Sequence, residues 1–165
     1  METLLKSIAE AEPRFNALID TGALITGYTN HEVIRYVLKH DEYDMFDVGV
    51  FLDDHDKQVF VTKANDTDPK PIEQCGTPLK RRFTLYDQRH TTGTDIKQAP
   101  NARALATLGK GITFRDHSQA VWRMRGIGKG QTGDVLVTDE TVKLIKKELA
   151  AVGVPCAAQP TMNDL

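Results

Sequence analysis

Short apolar runs alternate with segments of helical periodicity along residues 15–152, and this alternation constrains the fold of the 165-residue chain more than any other feature. Strands that alternate with helices are typical of an α/β domain with a mostly parallel sheet between layers of helices. At 18.4 kDa the chain has the size of one domain, so we predict a single lobe over residues 1–153. Residues 154–165 include two prolines and are predicted to form a flexible tail.

The periodicity also places the individual elements. Helical spacing, capping residues and prolines predict helices at residues 1–12, 31–39 (capped by Thr29 or Asn30), 116–125 (capped by Asp116) and 139–152. Compact apolar runs predict strands within residues 15–25 and at 46–52, 58–62, 82–86, 102–108 and 134–137. Because two of these strands are separated by only five polar residues, we expect an acidic hairpin inserted at about residues 46–62. An acidic loop is predicted to follow it at 65–71.

Targeting and metal signals are not visible in the sequence. No apolar run approaches the roughly 18 residues that a membrane helix needs, and the first residues lack the pattern of a secretory signal. We therefore predict no membrane contact and a cytoplasmic protein, although an effector-type export signal would escape this reasoning. Cys75 and Cys156 lie 81 residues apart without a metal-binding spacing, so we expect reduced thiols and no metal site.

The charge is distributed unevenly although the net charge is only −2. Residues 41–73 have a net charge of −7, and residues 80–131 have a net charge of +8. A basic half favours an anionic partner such as a phosphate or a nucleic acid. The alternative is that the two halves neutralise each other within the folded domain.

Two segments of the basic half carry the densest pattern of polar residues. Asp87-Gln-Arg-His-Thr-Thr-Gly-Thr-Asp95 follows a predicted strand, and Gln119-Ala-Val-Trp-Arg-Met-Arg125 lies on a predicted helix. Gln119, Trp122 and Arg123 share one face of that helix, whereas Arg125 is expected to point elsewhere. A guanidinium so placed can reach a phosphate held by a neighbouring lobe, which is the role of an arginine finger.

A simpler interpretation of the same helix remains open. Its arginines would then only coat the surface of the domain. In either case Trp122 and Met124 are predicted to lie in the core.

The two segments together resemble the last two motifs of the second RecA-like lobe in superfamily-two helicases and related chromatin-remodelling ATPases. The resemblance is closer to a little-characterised family of very large proteins. Their pattern runs Asp-Glu-x-His-Thr-Arg-Gly-Thr-Asp, then Thr-Leu-Gly, then Gln-Ala-x-x-Arg-Met-Arg-x-x-Gly-x-Gly-Gln. The matching positions of this chain are His90, Thr91, Gly93, Thr94, Asp95, Thr107, Leu108, Gly109, Gln119, Ala120, Arg123, Met124, Arg125, Gly128, Gly130 and Gln131. The chain departs from the pattern at Gln88, where an acid is expected, and at Thr92, where an arginine is expected.

The resemblance implies a RecA-like lobe of the P-loop NTPase second-lobe type, within a helicase-like ATP hydrolase. In such a lobe Gln119 and Arg123 would reach the γ-phosphate of the nucleotide, and Arg125 is a second candidate. Gly93, Thr94 and Asp95 would shape the loop between the lobes and couple the nucleotide state to movement.

The nucleotide itself needs a second lobe. This chain has no Gly-x-x-x-x-Gly-Lys-[Ser/Thr] loop to hold the β- and γ-phosphates. We therefore expect ATP and Mg²⁺ to bind only together with a first RecA-like lobe, supplied in cis or in trans, and no ATP hydrolysis by the chain alone. The substrate of the parent machine would be a nucleic acid or a protein.

Two other functions stay open at this point. Members of the resembling family are often labelled ubiquitinyl hydrolases, and a thiol hydrolase could use Cys75 as nucleophile, His90 as base and Asp95 to orient the base. The second alternative is a module that binds a phosphate backbone or another protein, with the basic half of the chain as its surface.

Overall fold

The computed structural model describes residues 2–91 and 93–153, so Thr92 and the predicted tail at 154–165 lie outside the described residues. The helices are α1 (Glu2–Ala9), α2 (Asn30–Lys39), α3 (Phe114–Val121) and α4 (Asp139–Ala151). The strands are β1 (Ala17–Ile19), β2 (Val48–Leu52), β3 (Gln58–Thr62), β4 (Lys70–Pro71), β5 (Arg82–Tyr86), β6 (Arg103–Leu108) and β7 (Thr132–Val137). Short 3-10 turns occupy Ile72–Gln74, Leu79–Arg81, Gln88–His90 and Trp122–Met124.

The strands form one sheet in the order β4-β3-β2-β5-β1-β6-β7. The five strands from β2 to β7 in this order are parallel, while β3 is antiparallel to both of its neighbours. Leu18, in the central strand β1, pairs with Leu85 on one side and Leu105 on the other. The predicted α/β architecture with a mostly parallel sheet is therefore confirmed.

The predicted hairpin forms with its turn at residues 53–57, but it is part of the main sheet. All five residues of β2 are buried, as expected of a strand that is covered on both faces, and β2 runs parallel to β5. Only β3 and β4 extend the sheet in the antiparallel sense, at its edge. The acidic loop ends earlier than expected, because Lys70 and Pro71 pair with β3.

Two apolar clusters fill the two sides of the sheet. One contains residues of α1 and α2, such as Leu5 and Ile34, packed on Leu18 and Phe83. The other contains Ala120 of α3 and the loop residues that follow β5, packed on alternating positions of the strands. The domain therefore has three layers, with α2 and α3 on opposite faces of the sheet.

Helix α3 differs from its prediction at both ends. The N-cap is Thr113, whose side chain accepts from the backbone of Asp116 while the Asp116 carboxylate accepts from the backbone of Thr113. The acid predicted as the cap is thus the third residue of the helix. After Val121 the chain tightens into a 3-10 turn, which buries Met124 but leaves 62% of Trp122 exposed. The prediction was right for Met124 and wrong for Trp122.

Candidate functional site

In an open α/β sheet, ligands bind at the carboxyl ends of the strands, where neighbouring connections leave toward opposite faces. Here that point lies between β1, whose chain continues into α2, and β6, whose chain continues into α3. The loops that meet there are Asp20–Gly22 and Gly109–Gly111. This junction is therefore where a ligand-binding site is expected.

The junction is filled by the protein's own backbone. A Cβ atom on Gly22 would lie 2.5 Å from the amide nitrogen of Gly109, and one on Gly109 would lie 2.4 Å from the carbonyl oxygen of Gly22. Thr107 Oγ1 accepts from the amide of Gly22 at 2.9 Å and donates to Asp20 Oδ1 at 2.6 Å. The two loops are thus locked together with no room for a ligand between them.

Asp20 is the centre of this lock, with only 3% of its surface exposed. Besides Thr107, its carboxylate accepts from the amides of Leu24 and Ile25 at 2.9 and 3.0 Å. Three hydrogen bonds converge on this carboxylate, so Asp20 fixes the chain that leads toward α2. No role was predicted for this aspartate from the sequence. Its place directly after a buried strand is the signal that could have identified it.

Open space lies beside the junction, on the α2 side. Two adjoining clefts of about 290 and 440 Å³ lie between the ends of β1, β5 and β2 and the start of α2. They share Tyr28, Asn30, Asp87 and Arg89. Arg89 donates to the carbonyl of Asp53 at 3.4 Å and lines both clefts. Sequence reasoning missed this cleft, because its walls come from three separate loops, after β1, β2 and β5.

His90 joins two of these loops. Its ring is 4% exposed, and its two nitrogens bind the carboxylates of Asp87 and of Asp56, the latter at 2.8 Å. The hydrogen bond from His90 lowers the pKa of Asp56 below its ordinary value. The histidine therefore ties the β2–β3 turn to the loop after β5.

The three residues of the thiol alternative are not brought together. Both nitrogens of His90 are taken by carboxylates other than Asp95, and the Asp95 carboxylate binds two arginines. The carbonyl of Cys75 accepts from Arg82, the first residue of β5, whereas His90 lies four residues beyond Tyr86, the last residue of that strand. No hydrogen bond joins Cys75 to His90 within the part of the chain that the structure describes.

The predicted loop and helix, by contrast, do meet. Arg123 Nη1 donates to Asp95 Oδ1 at 2.7 Å, and Arg125 Nε donates to Asp95 Oδ2 at 2.6 Å. Arg123 also reaches back to the carbonyl of Gln119 at 3.5 Å. One carboxylate therefore holds both arginine candidates.

The backbone around Asp95 is itself anchored. Gln58 donates to the carbonyl of Asp95 at 3.1 Å. The hydroxyl of Tyr86 accepts from the amide of Ile96 at 2.6 Å, and burial raises the pKa of Tyr86 to about 12. Gly93, with φ of 101°, and the half-buried Thr94 precede this anchored point. Of Gly93, Thr94 and Asp95, the residues predicted to shape the loop between the lobes, Asp95 is the one that these hydrogen bonds hold in place.

Arg125 reaches Asp95 because of its backbone conformation. It adopts left-handed φ of 59° directly after the 3-10 turn. This conformation turns the chain back, so the side chain of Arg125 meets the same carboxylate as Arg123. The expectation that Arg125 points elsewhere was wrong, because it assumed that a regular helix continues to this residue.

The acidic and basic halves of the chain neutralise each other in part. Arg81 donates to Asp47 from Nε at 2.6 Å, which lowers the pKa of Asp47, and Arg89 lies within 4.0 Å of Asp54 and Asp56. Other basic groups do not take part in this neutralisation. Lys110, Arg115 and Lys129 form no ion pair within residues 2–91 and 93–153.

Among residues 2–91 and 93–153, no group of three histidine, cysteine or acidic side chains is arranged to hold a metal ion. None of the helices in this part of the chain is long and apolar enough to cross a membrane.

Comparison with protein-family models, with curated proteins and with solved structures finds no match to this chain.

Proposed function

We propose that this chain is a RecA-like lobe that supplies arginine to a nucleotide held by another lobe. The observation that carries the proposal is the convergence of Arg123 and Arg125 on Asp95. Two permanent cations share one anion, so the cluster keeps a net positive charge that a phosphate can use. Such preorganised charge is what phosphoryl transfer requires of an arginine finger.

Burial separates the roles of the two arginines. The side chain of Arg123 is 12% exposed, whereas that of Arg125 is 53% exposed. Arg125 can therefore rotate away from Asp95 toward a phosphate without leaving a cavity. Arg123 stays bound and offsets the charge of Asp95 when Arg125 leaves. This reverses the order of preference that the sequence suggested.

The filled junction between β1 and β6 supports the proposal that another lobe holds the nucleotide. Because Gly22 and Gly109 occupy the usual ligand position, this lobe contributes to a nucleotide site from outside and does not enclose one. ATP and Mg²⁺ would then be held by a first lobe with its own phosphate-binding loop, joined in cis or in trans. Asp95 would link that site to the loop after β5.

The test is an ATPase assay of this chain combined with an ATP-binding lobe that carries the Gly-x-x-x-x-Gly-Lys loop. We expect Arg125→Ala to lower turnover by about 10³-fold or more, with Arg125→Lys only partly restoring it. Arg123→Ala should have a smaller effect, because its role is to support Arg125.

Arg35→Ala is the matched control. Arg35 also pairs with an aspartate, Asp66, at 2.8 Å, but it lies on α2 and outside the cluster. Its replacement should leave turnover unchanged. Equal turnover of Arg125→Ala and the unmodified chain would overturn the proposal.

A further inference from the structure

The outer face of α3 exposes two aromatic rings to solvent. Phe114 is 58% exposed and Trp122 is 62% exposed, and they are eight residues apart. Phe114 is the first residue of α3, and Trp122 is the first residue of the 3-10 turn that follows it. A rise of 1.5 Å per residue along α3 places their backbones about 12 Å apart. Arg115 and Gln119 lie between them, both exposed. We refer to Phe114, Arg115, Gln119 and Trp122 as the α3 outer face.

This exposure is not explained by packing. The opposite side of the helix is buried through His117 and Ala120, so the orientation of α3 on the sheet is fixed. Large aromatic side chains usually lose most of their accessible surface on folding, and exposing them forgoes that stabilisation. Two rings left outside on one helix indicate a surface that binds something.

The charge around the face is one-sided. Lys110 precedes the helix, Arg115 lies on the face, and Lys129 follows the 3-10 turn, all three exposed and without an ion pair among the described residues. Residues 109–133 contain five basic side chains and one acidic side chain, Asp116. The carboxylate of Asp116 is engaged in the cap of the helix. An anionic partner therefore fits this surface.

We propose that the α3 outer face binds single-stranded nucleic acid. Exposed aromatic rings stack on unpaired bases of any sequence, and adjacent cations neutralise the phosphates between those bases. Phe114 and Trp122 would each stack on a base, while Arg115, Lys110 and Lys129 contact the backbone. This role does not require Arg123 or Arg125, so it stands apart from the proposed phosphoryl-transfer function.

The shape of the surface favours nucleic acid over an acidic peptide. An amphipathic peptide helix binds in an apolar groove. Here the rings project from the outer side of a single helix, and the clefts described above have other walls. A duplex is also disfavoured, because its bases are already stacked and present no free ring faces.

Trp122 is the only tryptophan in the chain, so its fluorescence reports on this face alone. We would titrate the full chain at low salt with oligodeoxythymidylate and with oligouridylate. Binding should quench the fluorescence of Trp122, and Phe114→Ala should weaken the affinity about tenfold. Because Phe114 is exposed, its replacement leaves the core intact.

Salt dependence gives a second readout. For single strands the slope of log affinity against log salt changes by about 0.7 for each phosphate contact, so Arg115→Gln should reduce the slope by about this amount. Tyr43→Ala is the matched control, because Tyr43 is equally exposed at 58% but lies between α2 and β2. It should bind like the unmodified chain.

Three results would each overturn the proposal. The first is no binding of either oligonucleotide at low salt. The second is binding without quenching of Trp122 and without an effect of Phe114→Ala, which would place the contact elsewhere. The third is equal binding of polyglutamate or of anionic phospholipid vesicles, which would make the face a general surface for anions.

Discussion

Arg125 donates from Nε to Asp95 Oδ2 at 2.6 Å while its own backbone is left-handed, with φ of 59°. This position follows a helical turn, where glycine is the favoured residue because it has no Cβ. Glycine is in fact the next residue, Gly126. The chain therefore has an arginine at a position that favours glycine. The left-handed backbone there directs the guanidinium to the carboxylate that also binds Arg123.

The strain at Arg125 can be measured by comparing two replacements. Arg125→Gly and Arg125→Ala both remove the contact with Asp95, but only glycine adopts the left-handed conformation without cost. We expect Arg125→Gly to be more stable than Arg125→Ala by about 1 kcal/mol in urea unfolding. Equal stabilities would show that the left-handed backbone at this position is not strained.

Much of the fold could be predicted from the sequence because local signals agree with the tertiary structure. The apolar run at 82–86 forms β5 at the predicted bounds, and the pair 46–52 and 58–62 forms a hairpin. Helix α2 begins after Thr29, one of the two predicted caps. In each case one short segment contains both the periodicity and its end signal.

The errors have a common physical origin, since they depend on how a segment ends and on what it meets. Trp122 was expected in the core, but α3 packs on the sheet through His117 and Ala120, and Trp122 lies on the opposite, exposed side. Two residues of β4 have no apolar pattern and form a strand only because β3 is beside them. Periodicity cannot reveal either effect.

Two residues of the candidate site, Asp95 and Arg123, were named from the sequence, and in the structure their side chains form an ion pair. Which of the two arginines is the better candidate to reach a phosphate depends on their side-chain exposure, which cannot be read from the sequence. The lock formed by Asp20 and Thr107 joins residues 87 positions apart, so no local pattern could show it.

The contact between Gly22 and Gly109 predicts a large effect of a single methyl group. In Gly22→Ala the new Cβ would lie 2.5 Å from a backbone nitrogen, which cannot move aside as a flexible side chain can. We expect a loss of about 2 kcal/mol or more in the free energy of unfolding, measured in urea. Gly76→Ala is the control, because nothing lies within 4 Å of its Cβ position. Similar stabilities of the two variants would mean that the junction is looser than described.

The hydroxyl of Thr107 should matter more than its shape. Thr107→Val keeps the volume but removes the acceptor for the amide of Gly22 and one donor to Asp20. Leaving these buried groups unpaired should cost about 1–3 kcal/mol in urea unfolding.

A buried threonine of β5, which β1 separates from β6, provides the comparison. Thr84 is 1% exposed, and its hydroxyl makes only a longer contact of 3.3 Å with Gln98. Thr84→Val should therefore cost less than Thr107→Val. Equal losses of unfolding free energy in the two variants would contradict the role of the Thr107 hydroxyl in joining the two loops.

His117 predicts a specific dependence of stability on pH. It is 2% exposed on the inner side of α3, its Nδ1 has no partner among the described residues, and burial lowers its pKa below the ordinary value of about 6.5. The unfolded chain therefore takes up a proton at this position at a higher pH than the folded chain. The stabilisation from the neutral ring is complete above about pH 6.5 and is lost progressively as the pH falls below that value.

We expect His117→Phe, which keeps the ring volume, to lose less stability than the unmodified chain when urea unfolding is compared at about pH 7.5 and about pH 5.5. Most carboxylates titrate below this window, so the difference isolates histidine. If the chain and His117→Phe lose the same stability between these two pH values, His117 is not the group that responds.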